Sequence, residues 1–239
     1  MPPDELTQSV SRQAPGFLVS VFAIARKDML IELRSRSVIL SALAFAVLAI
    51  TIFFFAWDPT AVASIDLAPG VLWVIFTFSG LLGLHRSFGV EQPTRAMDAL
   101  LAAPVGREAI YLGKLLANLG FVIVVQAISL PAVALLYNVP IGNYVWPLIG
   151  VVLLAAVGLV AVGTLFSSMA VSTRLAELLL PLLSLPFFVP VILPAAQATA
   201  RLMSGRAISE VAGYLDILAA FDVVFLVVCT LLYPYTLEQ

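Results

Sequence analysis

Few side chains in this sequence are suited to chemistry, and they are dispersed along it. The chain has one histidine, His85, and one cysteine, Cys229, so neither a histidine cluster nor a multi-cysteine metal site can form. A lone imidazole beside Arg86 is more typical of an interfacial polar residue than of a metal or haem ligand. No Gly-x-Ser-x-Gly sequence and no glycine-rich phosphate-binding loop is present. We therefore expect this chain to be no enzyme by itself and to bind no metal or cofactor, so that any ATP binds a partner chain.

Two acidic residues in the last apolar segment are exceptions to its composition. Asp216 and Asp222 lie in a stretch otherwise suited to hydrocarbon, where a carboxylate costs about 2.5 to 3.5 kcal/mol near mid-membrane. Asp216 is expected in the outer first turns, where the helix dipole favours a negative charge. Asp222 would lie about 9 Å deeper, and it is the candidate for lining a cavity or pairing with a polar neighbour.

Composition indicates that the chain lies in lipid. Apolar residues make up 62% of the 239 residues and charged residues 11%, with a mean hydropathy of +1.10, whereas a soluble domain is about half apolar and a quarter charged. The net charge of -2 offers no basic face of the kind that binds nucleic acid. Apolar segments use most of the length, so residues 1–239 are expected to form a single transmembrane domain.

Six segments are long and apolar enough to cross a membrane. Their approximate bounds are 38–57, 67–84, 109–137, 144–171, 175–199 and 211–233. Backbone amides find no water in hydrocarbon, and no segment shows the alternation of a barrel strand, so each is predicted to be a helix. The sequence thus predicts an all-α membrane protein with six transmembrane helices.

The distribution of basic residues predicts the orientation. Ten Lys and Arg residues fall on one side of this topology, and only Arg201 and Arg206 fall on the other. Because Lys and Arg are retained in the cytoplasm during insertion, both termini are predicted to be cytoplasmic.

Residues 17–36, ahead of the first span, combine apolar side chains at helical spacing with charges that begin at Arg26. The pattern indicates an amphipathic helix that lies along the cytoplasmic interface. A frayed basic lead-in is the alternative, since basic residues are expected before a first span.

The fifth span carries four prolines, Pro181, Pro186, Pro190 and Pro194. Each proline removes a backbone donor and crowds the preceding turn, so a straight helix is not expected. Broken spans are tolerated where neighbours or a cavity satisfy the freed carbonyls, which predicts that this span faces the bundle interior. The alternative is a packed helix that the prolines merely bend.

The connection between the second and third spans, residues 85–108, is long enough to hold structure. Its pattern of an early proline, apolar residues at i, i+3 and i+4, and a closing proline and glycine predicts a short amphipathic helix over about 91–103. Such a helix, held by spans at both ends, is suited to a groove on a soluble motor, and we interpret it as a coupling helix. A structured loop without a partner is the alternative. The residues assigned to ATPase coupling are Glu91, Arg95, Met97, Asp98, Leu100, Leu101 and Pro104.

Several short sequences along nearly the whole chain point to one family. They are Lys27-Asp28 followed by Glu32-Leu33-Arg34, Leu67-Ala68-Pro69-Gly70-Val71-Leu72-Trp73-Val74, Arg86 with Phe88, Met97-Asp98-Ala99-Leu100-Leu101 before Pro104, Lys114, Leu185-Pro186 and Val189-Pro190. With these sequences the chain resembles the CcmB family, the membrane B subunit of the bacterial haem exporter, an ABC transporter of cytochrome c maturation.

The resemblance implies an ABC-2-exporter-like fold in the bacterial cytoplasmic (inner) membrane. It also implies the partners: an ATP-binding A subunit beneath the loop, a haem-handling C subunit, a small D subunit and a periplasmic haem chaperone, with a second copy of this chain as a further candidate. ATP and haem would then be bound by the partner subunits. The family motif positions would be Pro69, Gly70, Trp73, Arg86, Lys114, Pro186 and Pro190. Trp57, Trp73 and Trp146 lie near segment ends, where interfacial anchoring explains them.

The leading hypothesis is therefore a haem-exporter permease, which either delivers haem or uses ATP-driven motion to release the loaded chaperone. An ABC-2-type permease for a lipid, glycan or drug is the alternative within the same broad class. A membrane scaffold without transport is the alternative from another class.

Overall fold

The computed structural model describes residues 16–89, 104–140, 142, 144–170 and 176–236, with their side chains except at 35, 85–89 and 176–181. Seven α-helices and one short 3-10 helix account for most of this part of the chain, which contains no strand. The helices are α1 (Phe17–Ser35), α2 (Ser37–Ala56), α3 (Ser64–Gly89), α4 (Arg107–Leu136), α5 (Val145–Ala170), α6 (Ala176–Met203) and α7 (Ala212–Thr236), with the 3-10 helix at Ile208–Glu210.

Six apolar helices in the described ranges are long enough to cross a membrane, which confirms the six predicted spans. They are Ser37–Ala56, Ser64–Leu84, Arg107–Leu136, Val145–Ala170, Leu182–Met203 and Ala212–Thr236. Each overlaps one predicted segment, because hydropathy over about 20 residues reports directly on the length that a bilayer requires.

Successive membrane-spanning helices run in opposite directions, so the bundle has two ends. We call the end that carries the connection between α3 and α4 the loop side, and the opposite end the far side. The loop side holds the end of α3, the start of α4 and the ends of α5 and α7, and the far side holds the other ends of these helices. The sequence predicts that the loop side is cytoplasmic, and this orientation stays a prediction.

Only Arg36 separates α1 from α2. Its φ of 52° is in the left-handed region, which is strained for a residue with a β-carbon. Its amide donates to the carbonyl of Glu32 at 3.0 Å, and its carbonyl accepts from the amide of Leu40 at 2.9 Å. The two helices are therefore joined by a tight corner without slack. The bounds of α1 agree with the helix predicted for residues 17–36, whereas its interfacial placement stays a prediction.

Small residues allow the central helices to approach closely. A β-carbon at Gly163 of α5 would meet Leu84 of α3, and one at Gly83 of α3 would meet Phe121 of α4. α5 packs against α3, α4, α6 and α7, so it lies at the centre of the bundle.

α6 is a continuous helix through its prolines, so the expected break is not found. Pro186, Pro190 and Pro194 are four residues apart and therefore lie along one face, on which Pro186 and Pro190 are exposed. Another face, with Phe188 and Val191, is buried. Because the lost donors fall along one stripe, the remaining backbone bonds keep the helix intact. The alternative of a packed helix describes α6 better.

Trp73 is not an interfacial anchor, and that interpretation is wrong. Its side chain is only 2% exposed, and its indole N–H donates to Oγ1 of Thr199 on α6 at 3.1 Å. A buried indole N–H needs such an acceptor, so Trp73 joins α3 to α6 within the core. Trp57 and Trp146, by contrast, lie at the far-side ends of α2 and α5, and their role as interfacial anchors stays a prediction.

Candidate coupling site at the start of α4

The described chain resumes at Pro104, directly before α4. Pro104 is exposed, and α4 begins at Arg107 after Gly106, whose carbonyl accepts from the amides of Ala109 and Ile110 at 3.0 and 3.3 Å. A displacement of the preceding segment would therefore pass straight into the first turns of α4. The other predicted coupling residues, Glu91, Arg95, Met97, Asp98, Leu100 and Leu101, lie outside the described residues, as does the side chain of Arg86.

α1 lies in a groove that glycines leave along α4. A β-carbon at Gly113 would fall 2.7 Å from Cβ of Ile24 and 3.0 Å from the backbone oxygen of Val21, and one at Gly120 would meet Met29. These contacts advance in the same direction along both helices, so α1 runs alongside the start of α4 rather than across it. Larger residues at either glycine would push α1 away.

Lys114 brings a charge into this contact. Its side chain is fully buried, and its Nζ lies 3.5 Å from Oδ2 of Asp28. The other carboxylate oxygen of Asp28 is 3.0 Å from Nζ of the partly exposed Lys27. Burial of an ammonium group is costly unless an anion compensates, so Asp28 neutralises Lys114 and is itself held near the surface by Lys27.

Two further polar residues of α4 bind α5. The hydroxyl of Tyr111 donates to the carbonyl oxygen of Ala161 at 2.9 Å, and Nδ2 of Asn118 donates to Oγ1 of Thr164 at 3.0 Å. Together with Lys114 they occupy positions i, i+3 and i+7, which share one broad side of a helix. The buried side of this part of α4 therefore has a hydrogen-bonding role as well as an apolar one.

The same turns of α4 contact the end of α7. Nη1 of Arg107 donates to the carbonyl oxygen of Pro234 at 3.3 Å, and the rings of Tyr111 and Tyr233 are 5.3 Å apart. Cys229 is buried in the same part of α7. The first three turns of α4 thus meet α1, α5 and α7, and we call this region the α4 junction (residues 107–118).

Sequence reasoning identifies only Lys114 among the buried polar residues of the α4 junction. It misses Tyr111 and Asn118, although polar residues spaced at i, i+3 and i+7 in an apolar segment are a recognisable signal. The partner of Lys114 could not be found in this way, because no spacing rule links positions as distant as 28 and 114.

The remaining family motif residues lie elsewhere. Pro69 and Trp73 are buried in the far half of α3, and Gly70 is exposed there with no atom within 4 Å of an added β-carbon. Pro186 and Pro190 are exposed on α6. The motif positions therefore do not form a single site.

Asp216 and Asp222 are not brought together. Asp216 is exposed in the first turns of α7, whereas Asp222 is 5% exposed. A β-carbon at Gly158 of α5 would lie 2.7 Å from Oδ1 of Asp222 and 3.2 Å from Cγ2 of Val191 on α6. Neither carboxyl oxygen of Asp222 has a hydrogen-bond partner among the described residues, and its assignment to a cavity or a polar pair stays a prediction.

The far half of α4 holds two more buried polar side chains. Gln126 is 3% exposed and Ser129 is 1% exposed, and no partner for the amide group or for the hydroxyl occurs in the part of the chain that the structure describes. Within the same part, no three His, Cys, Asp or Glu side chains gather in a way that could hold a metal ion.

Six apolar helices, α2 to α7, with α5 at the centre of the bundle, define a multi-pass membrane protein. A family model described as CcmB protein matches residues 19–239, and the chain belongs to that family.

Relatives in three bacteria agree with this assignment. The chain is 32% identical to heme exporter protein B of Paracoccus denitrificans over 183 residues, which are 77% of this chain and 84% of that protein. It is 29% identical to heme exporter protein B of Rhodobacter capsulatus over 186 residues, 78% of this chain and 85% of the relative. For heme exporter protein B of Haemophilus influenzae the identity is 28% over 173 residues, 72% of this chain and 78% of the relative.

Proposed function

We propose that this chain is the transmembrane permease subunit of the haem exporter that serves cytochrome c maturation. Its membership of the CcmB family and its similarity to proteins named heme exporter protein B over most of their length support the proposal. Haem is the cargo of the complex rather than a resident cofactor of this chain. The subunit either delivers haem or drives the release of a haem-loaded chaperone.

The α4 junction is the observation that carries the mechanism. ATP is hydrolysed on an A subunit, which docks on the segment before α4 and displaces it. Because α1, α5 and α7 all contact the first turns of α4, the displacement reaches three helices at once. A bundle that receives force at one end needs such a junction, since loosely packed helices would absorb the motion.

Membership of the family supports a proposal for the remaining partners. A haem-handling C subunit and a small D subunit lie beside this chain in the inner membrane, and a haem chaperone meets the complex in the periplasm. Both termini lie in the cytoplasm, as the ten-to-two distribution of Lys and Arg favours.

Deletion and complementation test the proposal. Cells without this chain should lack covalently haem-bound c-type cytochromes, the full chain should restore them, and a tagged copy should copurify an ATP-binding protein. Intact c-type cytochromes in the deletion strain would refute the function.

The docking segment is tested by Leu100→Asp and Leu101→Asp. A charge in place of an apolar anchor should abolish copurification of the ATP-binding protein while insertion continues. Leu100→Met, which keeps an apolar side chain of similar size, is the matched control. Undiminished copurification in both aspartate variants would place the docking surface elsewhere.

A further inference from the structure

We propose that Asp28 and Lys114 form a lock that makes α1 and the start of α4 move as one body and so carries the displacement into α2. The source of the displacement rests on the proposed function above. The lock itself is a property of this chain and can be tested without that function.

Burial distinguishes this ion pair from an ordinary surface pair. The Lys114 side chain is 0% exposed and that of Asp28 is 13% exposed, whereas solvent screens most surface pairs and leaves them with little effect. The glycine contacts on either side, Gly113 with Ile24 and Gly120 with Met29, hold the two helices at close range around the charges.

The ion pair fixes the position of α1 along the axis of α4, that is, the register of the two helices. Apolar side chains could hold α1 and α4 equally well, because apolar replacement of a buried ion pair is often neutral for stability. Apolar surfaces can slide past each other, however, whereas a slip of one turn, about 5.4 Å, would separate the buried ammonium group of Lys114 from the carboxylate of Asp28. The pair therefore opposes slippage of α1 when α4 is displaced.

The corner at Arg36 passes the motion onward. A single residue joins α1 to α2, and backbone hydrogen bonds on both sides close it. A shift of α1 that follows α4 must therefore move the start of α2. Two spans that are far apart along the chain would respond to a single push through this route.

A double variant separates register from stability. Asp28→Leu combined with Lys114→Met replaces the pair by apolar side chains of similar size, so the complex should assemble at the wild-type level. We expect the yield of c-type cytochromes per assembled complex to fall by about fivefold or more, within the usual range of coupling energies, while ATP hydrolysis continues. Asp28→Glu keeps the charge and should retain most of the yield. Arg26→Met, which removes an exposed cation from the same helix, is the matched control and should behave as wild type.

Hydrogen exchange measures the lock independently of transport. In the purified double variant, amides of residues 17–35 should exchange faster than in wild type, while amides of α5 should not. Wild-type cytochrome yield together with unchanged exchange would overturn the proposal, and so would losses that merely follow the amount of assembled complex. If the wild-type chain itself failed to support cytochrome maturation, the proposed function would fall, and the exchange result would still decide whether the lock exists.

Discussion

The two halves of α4 differ in whether their buried polar side chains have partners. In the half nearer the loop side, called the loop half, Tyr111, Lys114 and Asn118 each bind a group on another helix. In the far half, Gln126 and Ser129 are buried without a hydrogen-bond partner among the described residues. Buried polar groups are nearly always satisfied in stable structures, so the first set fixes helices in place and the second leaves hydrogen-bonding capacity unused within the described chain.

Asp222 belongs with the far half by depth. Gln126 lies ten residues from the far-side end of α4, and Asp222 lies ten residues from the far-side start of α7, so each is about 15 Å from its helix end. Removal of a charge should therefore destabilise the loop half, where Lys114 and Asp28 are paired, and should be tolerated in the far half, where Asp222 has no hydrogen-bond partner among the described residues.

The largest effect is expected from Asp28→Leu as a single change. It would remove the carboxylate that lies 3.5 Å from Nζ of the fully buried Lys114, which should cost about 3 kcal/mol or more. Lys114→Met should cost less, because Asp28 would keep its contact with Lys27. Thermal unfolding of the purified protein in detergent would measure both variants. Equal unfolding midpoints for the two would show that the pair is not asymmetric as described.

Gly113→Ala tests the close approach of α1 and α4. Its β-carbon would fall within 3.0 Å of a side-chain carbon and a backbone oxygen, so overpacking should cost about 1 to 3 kcal/mol. Gly70→Ala, where nothing lies within 4 Å, is the matched control and should not destabilise the protein. A Gly113→Ala variant as stable as this control would mean that α1 does not sit in the groove.

Asp222→Leu tests the far half. Because the carboxyl has no partner among the described residues, an apolar side chain of similar size should leave the unfolding midpoint unchanged or raise the stability by about 1 kcal/mol. A clear loss of stability would reveal a partner and would remove the contrast between the halves. The yield of c-type cytochromes in the same variant would show whether function requires the Asp222 carboxyl. A lower yield at unchanged stability would mean that it does.

The smallest effect is expected at Asp58, an exposed residue between α2 and α3. The side chain of Thr60 donates to Oδ1 at 2.7 Å and its backbone amide donates at 2.9 Å, and these bonds hold the pKa of Asp58 below its usual value. The carboxylate therefore stabilises the fold above the pKa of the unfolded chain, and this contribution disappears as the pH falls through the lowered pKa. Asp58→Ala should slightly flatten the acid side of a plot of stability against pH. An unchanged plot would show that the two hydrogen bonds from Thr60 do not make the exposed Asp58 carboxylate contribute to stability.

The spans could be predicted from the sequence because they depend on a property that is summed over many residues, and a membrane offers no alternative to a helix there. The continuity of α6 could not be predicted, because each proline taken alone predicts a break, whereas the common spacing of Pro186, Pro190 and Pro194 confines the lost donors to one face. The burial of Trp73 could not be predicted for a related reason. Nearness to a segment end does not reveal that Thr199, 126 positions away, offers an acceptor. The pairing of Asp28 with Lys114 is of the same long-range kind.

The burial of Cys229 has a practical consequence for chemical labelling. It is the only cysteine in the sequence, and with 2% of its surface exposed it is shielded from water-borne maleimides. Maleimide labelling of an introduced cysteine can therefore be measured without replacement of the native one. If Ala99→Cys is labelled only after the cytoplasm is made accessible to the reagent, the connection between α3 and α4 lies on the cytoplasmic side of the membrane.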